Sequence, residues 1–251
     1  MIKQGDTIVV WFSCGAASAV AAKKTIEKYG TLAKIRIVNN PVKEEHEDNL
    51  RFLKEIETWL GVPIEFALNK NYPEASCQKV WEDRKYMSGV LGAPCTLELK
   101  KKARQQWEKE NHFDWLVLGF TAEEEKRSSR FKLTESDKLI PILIEENITK
   151  EDCFKILIKE NIDLPKIYKL GFPNANCIGC VKSSSVTYWN LVKKEFPEVF
   201  KERQNLSRKI NCKLIKYKGK RMFLDELLPD MKSRDLKKYT IDCGIFCEEK
   251  F

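Results

Sequence analysis

Histidine is scarce. Only His46 and His112 occur in 251 residues, and neither stands in a pattern that would complete a nucleophile's triad, which sets that kind of hydrolase chemistry aside. No apolar run reaches the ~18–20 residues a membrane helix needs. The opening Met1-Ile2-Lys3-Gln4-Gly5-Asp6 lacks a secretory pattern, and the apolar stretch after it reads as a short strand. Internal repeats and low-complexity linkers are missing as well. These absences predict a soluble, cytoplasmic chain with no membrane partner.

Cysteine, by contrast, is plentiful, with nine in the chain. Without an export signal, cysteines in a chain of this length point to metal or redox chemistry rather than disulfides. Cys177 and Cys180 form a Cys-x-x-Cys, and Cys243 and Cys247 a second close pair. Two short clips are what a four-thiolate centre needs, either iron–sulfur or zinc. Cys95 opens a basic segment carrying Lys100, Lys101, Lys102 and Arg104. Beside a helix start and those cations, it stands as ligand, sulfur carrier or core cysteine. Cys243 stands as ligand or nucleophile.

Lys and Arg number 45 against 37 Asp and Glu, a net charge of +8. That excess suits anionic partners, nucleotides or nucleic acid, although mixed charge along the chain also describes a solvated lysine-rich surface. Trp81 and the Lys193/Lys194 helix are candidates for a nucleic-acid contact or for core packing and a wet face.

Periodicity alternates between strand and helix. Thr7–Phe12, Lys34–Val38, Pro63–Leu68 and Trp115–Gly119 read as strands, with Leu139–Leu143 a further strand or extended segment. Ala17–Tyr29, Asp48–Leu60 and Thr96–Asn111 read as helices, the second with Leu50, Leu53, Ile56 and Leu60 on its apolar face. Such alternation predicts an α/β fold, a parallel sheet with helices on both faces, and ligands beyond the carboxyl ends of the strands. The turn Ser13-Cys14-Gly15-Ala16-Ala17-Ser18 would be an anion cradle at a helix start, with Ser13, Cys14, Gly15, Ala16 and Ser18 as the binding set. Asn39, Asn40 and Glu45 follow the second strand, and Gly119, Lys126, Arg127 and Arg130 follow the fourth; with Lys100 they complete the candidates for nucleotide or phosphate.

The pattern changes near residue 148, which predicts a nucleotide-binding domain over 1–148 and a smaller, mainly helical cysteine-rich appendage over 149–251. There, Thr149-Lys150-Glu151-Asp152 reads as a capping box. Helices are expected over Val186–Phe196 and Pro197–Ile210, and a hairpin turns at Lys218-Gly219.

Four features together resemble the phosphoadenosine phosphosulfate (PAPS) reductase family of the adenine-nucleotide α-hydrolase superfamily, including its bacteriophage relatives. They are Phe12-Ser13-Cys14-Gly15-Ala16-Ala17-Ser18-Ala19-Val20, the stretch Glu45-His46-Glu47-Asp48-Asn49-Leu50-Arg51-Phe52, the segment Gly119 through Arg130, and the cysteine set. The resemblance implies an adenine nucleotide ligand (APS, PAPS or ATP) and favours [4Fe-4S] over zinc. Departures are specific. Ala17 stands where ATP-cleaving members carry an aspartate for Mg²⁺ and pyrophosphate, so Mg²⁺ is expected only if ATP is cleaved. Asp242-Cys243-Gly244-Ile245-Phe246-Cys247 resembles the family's Glu-Cys-Gly-Leu/Ile-His segment without its histidine. A single Cys95 replaces a tandem pair, and Thr121 replaces an arginine.

Three functions are open at this point. One is reductive sulfur transfer from an adenylated sulfate, with Cys243 or Cys95 catalytic and a thioredoxin-like reductant. The second is an ATP-dependent sulfurtransferase thiolating a nucleic acid. The third is a non-catalytic nucleotide-binding module stapled by zinc. No oligomeric state is specified, a dimer being compatible.

Overall fold

The structure is a computed structural model and describes residues 1–89, 92–233 and 236. In chain order it contains β1 (Thr7–Phe12), α1 (Ala16–Tyr29), β2 (Lys34–Asn39), α2 (Asn49–Leu60), β3 (Ile64–Phe66), α3 (Cys77–Arg84), a π-helical segment (Thr96–Lys102), α4 (Ala103–Glu110) and β4 (Trp115–Val117). A 3₁₀ turn (Ala122–Glu124), α5 (Glu125–Thr134), β5 (Leu139–Ile140), α6 (Ile142–Glu145), α7 (Lys150–Lys159) and α8 (Lys166–Lys169) follow. The remainder is α9 (Val186–Glu195), α10 (Pro197–Lys209), the strands β6 (Ile215–Tyr217) and β7 (Lys220–Met222), and a 3₁₀ turn over Leu224–Glu226. Among the described residues no helix is long and apolar enough to cross a membrane.

Contacts divide the chain into two compact units along other lines than a single cut at 148. The first comprises 1–41, 47–67 and 104–166, and the second 42–46, 68–103 and 167–251.

The first unit is built on a five-stranded parallel sheet of order β3-β2-β1-β4-β5. β1 is buried along nearly its whole length, as a central parallel strand must be when helices cover both faces. Ala16, Ala19, Ala21 and Ala22 of α1 are fully or almost fully buried, and their small side chains let the helix lie close to the sheet. On α2 the buried stripe is Asn49, Phe52, Ile56 and Leu60, closed by Gly61 in the left-handed conformation (φ 64°). Leu50, expected on that stripe, is 68% exposed. Six positions at 100° each put it about 120° round from Ile56, off the apolar face. The order reverses beside β1, so the topological switch point lies between the carboxyl ends of β1 and β4.

The second unit packs α3, α9 and α10 with irregular chain around a core that includes Trp81, Met87, Tyr188, Trp189 and Phe200. Trp81 is 1% exposed, which rules out a surface contact with nucleic acid. The expected hairpin is present: β6 and β7 pair antiparallel, and Lys218 (φ 46°) and Gly219 (φ 81°) supply the two positive φ values of a type I′ turn. The helix expected over 96–111 divides instead into the π-helical segment and α4. The stretch after β4 is largely helical, because Thr121 and Glu124 close a capping box ahead of α5.

Candidate functional site: a switch-point turn and a four-thiol cavity

In the first unit, β1 ends at Phe12 and the chain turns through Cys14 in the left-handed region (φ 54°). Ser18 Oγ holds this turn: it accepts the Ser13 N–H at 3.1 Å, lies 3.2 Å from Ser13 Oγ and donates to the Gly15 carbonyl at 2.9 Å. The start of α1 has neither a side-chain cap nor an acidic residue in its first turn. Side chains thus leave its first amides uncapped. Gly119, just after β4, packs directly on this turn. A β-carbon there would lie 2.7 Å from the Ser18 nitrogen and 2.9 Å from its Cα, so only glycine fits.

The other rim candidates fall into distinct roles. Asn39 is buried and uses its amide on the Phe12 carbonyl (2.7 Å) and Cys14 Sγ (3.6 Å), bracing the turn from the neighbouring strand. Asn40 donates to the Ala67 carbonyl at 2.9 Å, while its buried Oδ1 meets no hydrogen-bond partner among the described residues. Arg127 is engaged by Glu124 at 2.6 Å and lies 5.1 Å from the centre of the Phe120 ring; Lys126 and Arg130 are exposed on α5. Asp48, Arg51 and Phe52 explain the acidic-to-Arg-Phe stretch structurally. Arg51 forks onto both Asp48 oxygens at 2.7 and 2.8 Å, and Phe52 packs against Phe12 with ring centres 6.2 Å apart. This pairing, joined by the Lys166 N–H, holds the Asp48 carboxyl at about 2.

In the second unit four thiols share one small cavity. Cys77, Cys95, Cys177 and Cys180 line it together with Trp81 and Lys100. Cys77 Sγ and Cys177 Sγ are 3.9 Å apart. Hydrogen bonding with Cys177 and Cys95, added to burial, pushes the Cys77 thiol well above its ordinary value. Lys100, a phosphate candidate by sequence, belongs to this cavity, where its ammonium meets Glu45 at 3.1 Å with both side chains 8% exposed.

Local structure explains why these thiols meet. Ser76 caps α3 through Lys79 N–H, and Cys77 is the first residue of that helix. The Glu44 carboxylate accepts the Ser76 hydroxyl and the N–H groups of Cys77 and Gln78 at 2.8 to 3.1 Å. The Glu44 carbonyl accepts the Ile178 N–H at 2.8 Å, inside the Cys-x-x-Cys turn. One residue therefore ties both cysteine-bearing segments. Gly179 turns that segment at φ 65°, and Cys180 N–H donates to the Tyr188 hydroxyl at 2.8 Å. Cys95 leads into the π-helical segment, a backbone irregularity frequent at functional sites.

The donor set fits an iron–sulfur centre or zinc in number and kind. The cavity itself is closed down to about 10 Å³, and among the described residues no three His, Cys, Asp or Glu side chains converge as a ready-made site for one ion. A four-iron core would have to spread the thiols apart.

Sequence reasoning missed Cys77 and Glu44. The signal for Cys77 was a Ser76 cap followed by Cys77, Val80 and Trp81 at i, i+3 and i+4, a short buried helix. Cys243 and Cys247, expected among the ligands, lie outside the described residues. Of the remaining described cysteines, Cys14 braces the β1 turn, Cys212 donates to the Ser88 carbonyl, and Cys153 is fully buried in the first unit. No described cysteine is in a disulfide.

The family model for the phosphoadenosine phosphosulfate reductase domain matches residues 7–186. No protein of curated function matches the chain. Among solved structures it is similar to the U34-tRNA thiolase NcsA from Methanococcus maripaludis with its [4Fe-4S] cluster, at 12% identity and a TM-score of 0.44 over 84% of this chain and 73% of that one.

Proposed function

This chain belongs to the phosphoadenosine phosphosulfate reductase domain family, and on that premise we propose that it is an enzyme of reductive sulfur transfer acting on an adenylated sulfate. The observation that carries the proposal is the completeness of the thiol set. Cys77, Cys95, Cys177 and Cys180 line one cavity, so four donors are present without recourse to Cys243 or Cys247. Cys243, in a segment resembling the family's nucleophile segment, is then left for attack rather than ligation.

In the proposed step the Cys243 thiolate attacks the sulfur of the adenylated sulfate. The S–O bond to the nucleotide phosphate breaks, and the phosphate leaves with the electron pair. Cys243 now carries a thiosulfonate. A thioredoxin-like dithiol attacks the Cys243 sulfur, sulfite leaves, and the second thiol resolves the mixed disulfide. The dithiol is oxidised by two electrons and the Cys243 thiol returns.

The chain's own residues supply the binding. The first-turn amides of α1 would hold the nucleotide phosphate, with Ser18 fixing their geometry. Asn40 Oδ1 offers an acceptor at the end of β2. Ala17 places no carboxylate in the turn for Mg²⁺, which favours a sulfonucleotide over ATP as the ligand. A [4Fe-4S] centre, when bound, would supply a covalent tie among the cysteine-bearing segments and a fixed charge.

The test is anaerobic incubation of purified protein with APS or PAPS and reduced thioredoxin. Sulfite should form, and Cys243→Ser should abolish it. Pyrophosphate released from ATP only in the presence of RNA, with no sulfite from either sulfonucleotide, would overturn the proposal in favour of a nucleic-acid sulfurtransferase.

A further inference from the structure

Arg203 of α10 is 2% exposed, among the most deeply buried large side chains of the molecule. Its guanidinium lies on the face of Trp81, 4.7 Å from the ring centre. Its Nε and Nη1 are buried and meet no hydrogen-bond partner among the described residues. The ion pair it makes is long, Nη1 to Glu202 at 3.7 Å, and the Glu202 side chain is 60% exposed. Such a carboxylate is hydrated and screened, and compensates a buried cation poorly.

A buried guanidinium with two unserved donors is destabilising unless an anion lies nearby. The thiol cavity lies on the far side of Trp81. Trp81, which carries Arg203 on its face, also lines the four-thiol cavity. On the other side, Gly179 of the Cys-x-x-Cys turn presses against Arg203: a β-carbon there would lie 3.4 Å from Arg203 Cγ. Trp81 thus joins the guanidinium to the wall of the thiol cavity. Arg203 also lines a pocket of about 550 Å³ with Glu44, Glu45, Glu74, Glu82 and Glu202, and of these only Glu202 is paired with it, at 3.7 Å. Four thiolates outweigh the positive charge of a zinc ion or an iron–sulfur core, so a loaded centre is anionic.

We infer that Arg203 is the buried counter-charge of the cysteine centre, a positioning residue that stabilises the loaded, thiolate form electrostatically. The inference rests on the reading of Cys77, Cys95, Cys177 and Cys180 as metal ligands. It makes the metal-free protein carry a poorly compensated charge that loading relieves. It also makes Arg203 a determinant of reduction potential, since a nearby cation favours the more negative, reduced state of a cluster.

The experiment compares wild type, Arg203→Lys and Arg203→Met, each metal-free and each reconstituted anaerobically with iron and sulfide. Metal-free Arg203→Met should melt at or above metal-free wild type, whereas loaded Arg203→Met should melt below loaded wild type. The midpoint potential of the loaded centre should move to more negative values in Arg203→Met and stay near wild type in Arg203→Lys. Equal potentials in all three proteins, or equal destabilisation of Arg203→Met with and without metal, would overturn the inference and leave Arg203 a packing residue. If Arg203→Met fails to fold in both forms, Arg203→Gln takes its place with the same expectations. If the centre takes up zinc rather than iron, the comparison of melting with and without metal decides alone. A wild-type chain that takes up neither iron nor zinc sinks the ligand reading itself, a result distinct from the others.

Discussion

The Glu44 carboxylate accepts the Cys77 N–H at 2.8 Å, while its own backbone carbonyl accepts the N–H of Ile178 at 2.8 Å. A single acidic residue thereby fixes the helix start that presents one thiol and the turn that presents two more.

Glu44→Ala should therefore loosen the cysteine centre. It removes the acceptor for three donors, from Ser76, Cys77 and Gln78, and a buried donor left unserved costs about 1–3 kcal/mol. The backbone bond to Ile178 survives, so the protein should still fold. Iron or zinc per chain after reconstitution should fall and the melting temperature with it, and Glu44→Gln should be milder. Full metal content in Glu44→Ala would show that α3 holds Cys77 unaided.

A serine scan separates ligands from bystanders. Replacing Cys77, Cys95, Cys177 or Cys180 singly should cut bound metal by at least about twofold, because each removes one of four donors. Cys153→Ser should leave metal content unchanged. Burial first, then Glu123 and Asp152, raise that thiol to about 12. It is thus protonated at neutral pH and should resist alkylation in the folded protein. Loss of metal in Cys153→Ser alongside retention in Cys77→Ser would refute the assignment.

The contrast between the two sites shows what a sequence displays and what it conceals. β1 and α1, the turn between them and Gly119 are contiguous or carry their own period, and the α/β alternation follows from them. The capping box at Thr149 and the hairpin at Lys218-Gly219 are equally local. The cysteine set is different. Cys177 and Cys180 announce themselves by spacing, but Cys77 lies 100 residues from Cys177. Nothing local in Cys77 marks it as a donor; only the packing of α3 against the Cys-x-x-Cys turn does so. Leu50 misleads for a related reason: leucine spacing suggests a face, while burial follows Phe52 and Ile56.

Gly119→Ala tests the first site. The new methyl would meet the Ser18 nitrogen at 2.7 Å, backbone that cannot swing aside. Overpacking of this kind costs about 1–3 kcal/mol, and the displaced turn should bind AMP or APS at least about tenfold more weakly. Calorimetric titration alongside thermal melting reads both effects. Ser18→Ala should weaken binding without the steric stability loss, since it deletes the hydroxyl that joins Ser13 to Gly15. Unchanged affinity in both variants would place the nucleotide elsewhere.

Acid stability provides a test independent of ligand. The Asp48 carboxyl is lowered from 3.8 to about 2, first by the hydrogen bonds from Arg51 and further by the Lys166 N–H, with burial opposing. A carboxylate whose folded pKa is depressed contributes stability that is present above its unfolded pKa. That contribution disappears as pH falls through the folded value. Here the window runs from about pH 4 down to about pH 2, and the contribution above it is about 2 kcal/mol. Asp48→Asn should therefore unfold at lower urea concentration than wild type at pH 6, while the two proteins converge on acidification through that window. Parallel stability curves from pH 6 to pH 2 would mean that the Asp48–Arg51 pair is not what holds the start of α2.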